Sequence, residues 1–391
     1  MQLEGYMKGM DLLDIKDYRK KIDELDDDIL ELFLKRMAVS DEIAGYKKEH
    51  NLAVINKGRE REILSRISNN AGPDFARYAR MMFSNIFEIS RSHQRQCMDI
   101  DSPLSEMIRN AQKTSPAVFP DTSIIACQGV EGSYSQQACD RLFSFANIVF
   151  FKNFEGVFNA VEKGMCEFGM LPIDNSSYGS VTEVYDLMKD YNFHIVRSIK
   201  IKVDHALLMC PGGKMSDIRE IYSHEQAIGQ CSEFFKKHGD ITVHTCENTA
   251  VAAQMIAELD RPDIAAISSR QCAGLYGLSI VADGFQNSEH NYTRFICISK
   301  NLIIYPGSNR ISLILALPHE PGSLHAIISQ FAVLGLNLTK LESRPILGRD
   351  FEFMFFFDFD ASLNNKDVIS LLDGLSTGSE MFNFLGNYSE V

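Results

Sequence analysis

The sequence predicts a multidomain protein with an all-α helical N-terminal region, a two-lobed α/β centre and a βαββαβ ferredoxin-like C-terminus. Three changes of texture predict it. Apolar residues first recur at helical spacing, then strand-sized and helix-sized apolar runs alternate, and the end of the chain reads strand, helix, strand, strand, helix, strand. At 391 residues the chain exceeds what one hydrophobic core usually fills, and 45% apolar residues suffice for several.

From Asp17 to about Lys48 the residues Ile22, Leu25, Ile29, Leu32, Phe33 and Val39 follow helical intervals, with no Pro or Gly before Gly45. That predicts one long helix of about thirty residues. Two more are expected over about Lys57 to Ser68 and Pro73 to Gln96, separated by "NNAGP". Helices this elongated cannot bury their stripes alone, so an intertwined dimer is expected. The stretch "DIDSPLSEMIRNAQKTSPAVFPDTS" loses the periodicity and carries three prolines, which reads as a linker over 99–120 between domains at 10–98 and 121–300.

Beyond it come strand "SIIAC", a helix around Gln136 to Phe143, strand "NIVFF", a helix from Phe154 to Lys163 and strand "FGMLPI", the order of a three-layer domain with a largely parallel sheet. "IKVDHALLMC" to "DIAAIS" reads as a second lobe, and the chain returns to the first near Arg294, leaving a cleft. The last domain, 308–391, runs through "ISLILAL", "HEPGSLHAIISQFAVLG", "LNLTKLESRP", "FEFMFFFDF", "KDVISLLDGL" and "FNFLGNYSE".

A formal charge of −13 and a pI near 5.3 argue against nucleic acid or an anionic membrane as partner, because both require a broad basic field. Nine cysteines without a C-x-x-C pair suggest reduced thiols in cytosol. The charged N-terminus lacks a signal-peptide core, and no run approaches a membrane span, so a soluble cytoplasmic protein is expected. With neither H-E-x-x-H nor a close His/Cys cluster, no metal is expected. "GVEGSYS" lacks the ending of a nucleotide P-loop and there is no G-x-G-x-x-G, so no nucleotide cofactor is expected either.

Arg36 and Lys47 are 11 residues apart. At about 100° per residue they share a helical face, about 16 Å apart along the axis, and suit the two ends of a small dianion. Arg19 points elsewhere and in an antiparallel dimer reaches the partner's site. Singly, each also fits an ordinary solvated charge. Ser90 and Gln94 make a polar i, i+4 face, and Arg59 and Glu60 open the second helix. The pattern "YRKKIDELDDDILELFLKRM", "IAGYKK", "REREIL", "SRSHQ" resembles the all-helical chorismate mutase family. The resemblance implies that Arg19 of a neighbouring subunit, Arg36 and Arg59 hold the carboxylates, that Lys47 and Gln94 bond the ether oxygen, that Glu60 takes the ring hydroxyl and that Ser90 completes the pocket. Asn56 stands where that family often has an acidic residue near the substrate hydroxyl. A Claisen rearrangement needs no nucleophile or base, only a folded substrate and donors where charge grows on the ether oxygen, which a wall of Arg, Lys and Gln supplies.

Four further stretches, "GVEGSYSQQA", "LPIDNSSYGSV", "YSHEQAIGQC" and "NYTRFICIS", resemble prephenate dehydratase, whose two-lobed domain is periplasmic-binding-like. The resemblance implies that Thr293 donates to the leaving ring hydroxyl, that Asn175 and Gln230 bind substrate beside it with Asp174, Ser176 and Phe295 in the same motifs, and that Arg294 orients the site. Asp174 stands where the family usually has Glu. Threonine is a weak acid, but loss of carbon dioxide and water makes an aromatic ring, and that driving force lets a hydrogen-bond donor suffice.

Pro321 and Gly322 before a helix leave free N–H groups suited to a carboxylate. With Ser323, Leu324 and the strand residues Glu342, Ser343, Arg344 and Pro345 they resemble the regulatory ACT domain of the same dehydratases, in which phenylalanine binds between subunits. The order mutase, dehydratase, ACT implies a bifunctional enzyme turning chorismate into prephenate and then phenylpyruvate, inhibited by phenylalanine, as a dimer or tetramer. The alternatives are a dehydratase with an inactive mutase domain and a non-catalytic small-molecule sensor.

Overall fold

The computed structural model describes residues 14–50, 52–98, 102–288, 290–346 and 352–391. The chain divides into two compact units, the first containing the N-terminal helices with residues 325–330, the second residues 103–324 and 331–391.

In the first unit α1 (Ile15–Glu49) is the single long helix expected. Helix α2 (Lys57–Met98) is broken where "NNAGP" predicts. Gly72 takes φ 71° and ψ 170°, a conformation costly for a residue with a Cβ, and Pro73 restarts the helix with its φ already set. Along α1, Ile22, Leu25, Ile29 and Leu32 are each at least 50% exposed.

The second unit opens with a helix where a linker is expected. In α3 (Pro103–Thr114) Leu104, Ile108 and Ala111 recur at i, i+4 and i+7 and are buried, and Pro103 occupies the first helical position, where its missing N–H costs nothing. The expected linker is therefore partly a packed element. Ser115, just after it, accepts from Ile304 N at 2.8 Å.

The first lobe contains β1 (Thr122–Gln128), α4 (Tyr134–Leu142), β2 (Phe145–Phe151), α5 (Phe154–Glu162), β3 (Phe168–Asn175), β4 (Gly179–Ser180), α6 (Thr182–Tyr191) and β5 (His194–Lys202). The second runs from β6 (His205–Met209) through β7 (Glu220–Ser223), α7 (Glu225–Gln230), α8 (Ser232–Lys237), β8 (Thr242–Thr245), α9 (Thr249–Leu259), β9 (Ile264–Ser269) and α10 (Arg270–Tyr276) to β10 (Ser279–Asp283). The chain then returns as β11 (Tyr292–Ser299), and the C-terminal domain follows as β12 (Arg310–Ala316), α11 (Ser323–Val333), β13 (Asn337–Pro345), β14 (Phe353–Asp360), α12 (Lys366–Gly378) and β15 (Met381–Glu390).

The second lobe has its own 5-stranded sheet, β10-β6-β9-β7-β8. The first lobe and the C-terminal domain share a 10-stranded one, ordered β13-β14-β12-β15-β5-β11-β3-β1-β2 with β4 on β3. Its strands are mixed rather than largely parallel, because β11 re-enters between β3 and β5 antiparallel to both. The joint is β15, which pairs parallel with β5 through Ser389–Arg197 and Glu390–Ser198. One apolar cluster also crosses it, combining Leu171, Ile173, Val184 and Ile296 with Ile314, Met354, Phe356 and Leu385.

At this joint Gly386 has φ 137°, and a Cβ there would lie 2.4 Å from the Ile195 carbonyl oxygen. Backbone cannot swing aside as a side chain can. Gly386→Ala is therefore expected to part β15 from β5 and cost about 2 kcal/mol or more, read as a lowered thermal midpoint of the dehydratase unit with the mutase rate unchanged.

Candidate active sites

In the first unit, two polar residues on one face of α2 meet the cations of α1. Arg36 Nη1 donates to Ser90 Oγ at 2.5 Å, and Lys47 Nζ to Gln94 Oε1 at 3.2 Å and Val54 O at 2.5 Å. Gln94 Nε2 donates to Ser40 Oγ at 2.8 Å, which turns its oxygen towards Lys47. Burial lowers the pKa of Arg36 and of Lys47, and for Lys47 the Glu60 carboxylate opposes it. Arg91, which sequence reasoning passed over, bridges Glu60 and Glu88.

Two of the proposed ligands have other tasks. Asn56 Oδ1 accepts from Arg59 N at 3.0 Å and so caps α2, although the sequence assigns it to substrate. Arg59 is exposed and pairs with Glu62 at 2.7 Å. Arg19, also exposed, lies about 25 Å down the helix axis from Arg36, too far to join the same chain's pocket.

Asp41, His93 and Cys97 form a donor cluster: His93 and Cys97 are four residues apart on α2, and Asp41 joins them from α1, which the sequence alone does not show. His93 Nε2 is 2.7 Å from Asp41 Oδ1, and Cys97 Sγ is 3.7 Å from the same oxygen. Both contacts have hydrogen-bonding geometry. Burial and the Asp41 carboxylate push the Cys97 thiol up.

In the second unit the register between β3 and β11 is decisive. Phe295 pairs with Pro172 but Arg294 pairs with Asp174, so Ile173 is an extra residue, a β-bulge. The skip sets Thr293 opposite Asn175 and Arg294 opposite Asp174. Without it Thr293 would face Asp174, and Arg294 the apolar Ile173.

Asn175 Oδ1 accepts from Ser177 N at 2.9 Å and Tyr178 N at 3.0 Å, an Asx turn that fixes which end of the amide is the donor. Its Nδ2 then donates to Thr293 Oγ1 at 2.9 Å and to Asn291 Oδ1 at 3.0 Å. Since Thr293 oxygen already accepts a hydrogen bond, its own O–H is left to donate elsewhere. Asn291, 2% exposed, has an Nδ2 with no hydrogen-bond partner among the described residues. Its nearness to Thr293 in sequence was the available signal, because Asn291 directly precedes β11.

Gln230 ends α7, with Oε1 2.7 Å from His205 Nε2. Burial lowers His205, outweighing the Gln230 hydrogen bond and leaving a neutral ring that donates from Nε2. The same helix is tied to the Asn175 turn by Tyr178, whose hydroxyl donates to Gln226 O at 3.1 Å. Ser176 closes the entrance of β11, its Oγ accepting from Tyr292 N at 2.9 Å. Three of the predicted dehydratase site residues, Asp174 among them, are committed elsewhere. Phe295 is 2% exposed within the core, and Arg294 turns to the opposite face, where Nε and Nη2 bond Asp174 Oδ2 at 3.0 and 2.6 Å and Nη2 bonds Asp358 Oδ2 at 2.6 Å.

Residues 125–302 match the family model of prephenate dehydratase, and residues 18–95 that of chorismate mutase type II. Arogenate dehydratase/prephenate dehydratase 2, chloroplastic, of Arabidopsis thaliana is 34% identical over 301 residues, 74% of this chain and 78% of that one. The chain belongs to the prephenate dehydratase family. The bifunctional chorismate mutase/prephenate dehydratase of Escherichia coli (strain K12) is 29% identical over 378 residues, 95% of each chain. The crystal structure of prephenate dehydratase from Arthrobacter aurescens in complex with L-Phe has a TM-score of 0.63 at 29% identity, covering 68% of this chain and 89% of that one. This family member thus carries two enzymes, a chorismate mutase (isomerase) and a prephenate dehydratase (carbon–oxygen lyase). No helix among the described residues is long and apolar enough to cross a membrane.

The C-terminal residues expected to hold an effector fall into two sets. Pro321, Ser323 and Leu324 line a cavity of 350 Å³ with Glu320, Phe353 and Phe355. Ser343 and Pro345 pair with Phe355 and Phe353 and share their face. Glu342 and Arg344 alternate to the other face, where Glu342 bonds Ser180 and Arg344 pairs with Asp186 at 3.0 Å.

Asn175→Asp tests the orientation of the dehydratase amide. The shape and the Asx-turn acceptor survive, but an acceptor replaces the donor beside Thr293, whose proton is then drawn to the new carboxylate. Phenylpyruvate formation is expected to fall about a hundredfold or more with the unfolding midpoint little changed.

Proposed function

We propose that the rearrangement is carried by Lys47, with Gln94 holding its ammonium towards the ether oxygen, and that Arg36, Ser90 and Glu60 grip the rest of the substrate. The α1–α2 contacts support it, since they gather donors and no nucleophile. Arg59, whose exposed pairing with Glu62 the substrate displaces, and the Arg19 of a second copy supply further carboxylate contacts. The exposed apolar stripe on α1 and the distance of Arg19 support a homo-oligomer in which the mutase pocket is completed across subunits.

For dehydration the observation that carries the reading is Asn175 donating to Thr293. Thr293 donates a hydrogen bond to the departing ring hydroxyl, helped by the bond its own oxygen receives; the ring carboxylate leaves as carbon dioxide, its electron pair expels the hydroxyl, which takes a solvent proton to become water, while Asn291 Nδ2 and Gln230 bind the substrate's oxygens. Burying a polar donor such as Asn291 without a partner costs about 1–3 kcal/mol, a cost that substrate removes. The 350 Å³ cavity supports phenylalanine as effector: Leu324, Phe353 and Phe355 offer an apolar wall, and the turn through Gly322 opens the helix N-terminus to a carboxylate.

Crossed variants test the division of labour. Lys47→Ala is expected to reduce chorismate rearrangement by about a hundredfold or more while prephenate turnover persists. Thr293→Val, which keeps the β-branched shape, should do the reverse. Loss of both activities in either variant, or of neither, refutes the assignment. Calorimetric titration of phenylalanine into the full-length protein should show binding that Leu324→Ala weakens about tenfold.

A further inference from the structure

The strand ends that bring Thr293 to Asn175 have a second, charged face. There Arg294, 8% exposed, is shared by Asp174 of β3 and Asp358 of β14. Asp358 does not move freely: its other oxygen accepts from Ser312 Oγ at 2.6 Å, and that hydroxyl is 2.7 Å from Tyr388 OH in the C-terminal core. Asp174 is held equally hard on its second oxygen, which takes Lys340 of β13, Tyr185 OH at 3.1 Å and Ser180 Oγ at 3.3 Å. Lys340 reaches Ser180 as well, at 2.8 Å, and Glu342 at 3.1 Å.

We propose that Asp358 and Lys340, both from the C-terminal βαββαβ domain, are positioning residues of the dehydratase centre, clamping Arg294 and Asp174 from behind and so holding the bulged register that sets Thr293 against Asn175. A one-residue slip is the natural alternative for this strand pair, and it would leave a buried guanidinium facing Ile173. The clamp penalises that slip because each of its ions is bonded to more than one partner, on elements that cannot shift independently. Asp174, one methylene shorter in its arm than the usual Glu, fits this task. Behind the strand it lies among Arg294, Lys340, Glu342, Tyr185 and Asp358. Burial raises its carboxyl, but Arg294 and Lys340 outweigh that and hold it below its ordinary value. The inference rests on the dehydratase activity and is independent of whether phenylalanine binds.

The test uses full-length protein, measuring both reactions on each variant. Asp358→Asn and Lys340→Met should each lower kcat for prephenate dehydration about tenfold or more, with KM within about threefold, because a misplaced donor harms the transition state more than binding. The mutase rate should not change. Lys340→Met removes one cation that holds Asp174 ionised, so the acid limb of the dehydratase pH profile should move to higher pH, whereas Lys340→Arg should keep both the limb and most of the rate. The double variant should be no slower than the slower single one by more than about twofold, since both act through one ion pair. Either a kcat within about twofold of the parent in Lys340→Met or effects that multiply in the double variant overturns the proposal. If Asp358→Asn does not fold, Lys340, whose side chain is 17% exposed at the rim of the cluster, decides the question by its rate and pH limb.

Discussion

One extra residue in β3 governs the dehydratase half of the molecule. The bulge at Ile173 shifts the ladder by a single position, and the polar contacts between β3 and β11 depend on that shift. On one face it pairs the amide of Asn175 with the hydroxyl of Thr293; on the other it pairs a carboxylate with a guanidinium that would otherwise be buried opposite a hydrocarbon. The charged face is costly to misplace and so enforces the register, while the uncharged face uses it.

Both centres solve the same problem of aiming weak groups. Among the described residues each gathers cations, amides and hydroxyls, groups whose use depends on how they are aimed. In each, an amide is oriented by a bond at its far end. Ser40 takes the nitrogen of Gln94 and turns its oxygen to Lys47; the Ser177 and Tyr178 N–H groups take the oxygen of Asn175 and turn its nitrogen to Thr293. Because an amide has one donor end and one acceptor end, fixing one decides the other.

The C-terminal domain is continuous with the catalytic one. Strand β15 extends the dehydratase sheet, with Gly386 permitting a backbone approach no side chain would allow, and a common apolar cluster runs under the junction. A domain attached in this way shares paired strands and core with its neighbour. Helix α3 belongs to this body too, which explains why a segment rich in proline is ordered: its apolar residues have a surface to cover.

The sequence by itself determined the three textures, the break at Gly72 and Pro73, the βαββαβ order and most residues of the two polar sites, because periodicity, capping and turn chemistry are local and short motifs carry their chemistry with them. It also carried the family resemblance that the comparisons bear out. It could not distribute tasks among neighbours within a motif. Arg294 and Phe295 follow Thr293 directly, yet one belongs to an ion cluster and the other to the core, since adjacent strand residues face opposite ways and a bulge alters which partner each meets. Asn56 turned out to be a helix cap, and the partners of Arg294 and Glu342 come from 64 and 162 positions away. Such contacts are created only when the sheet forms, so only the tertiary structure decided which polar residues gather beside Thr293 and which hold the strands that present it.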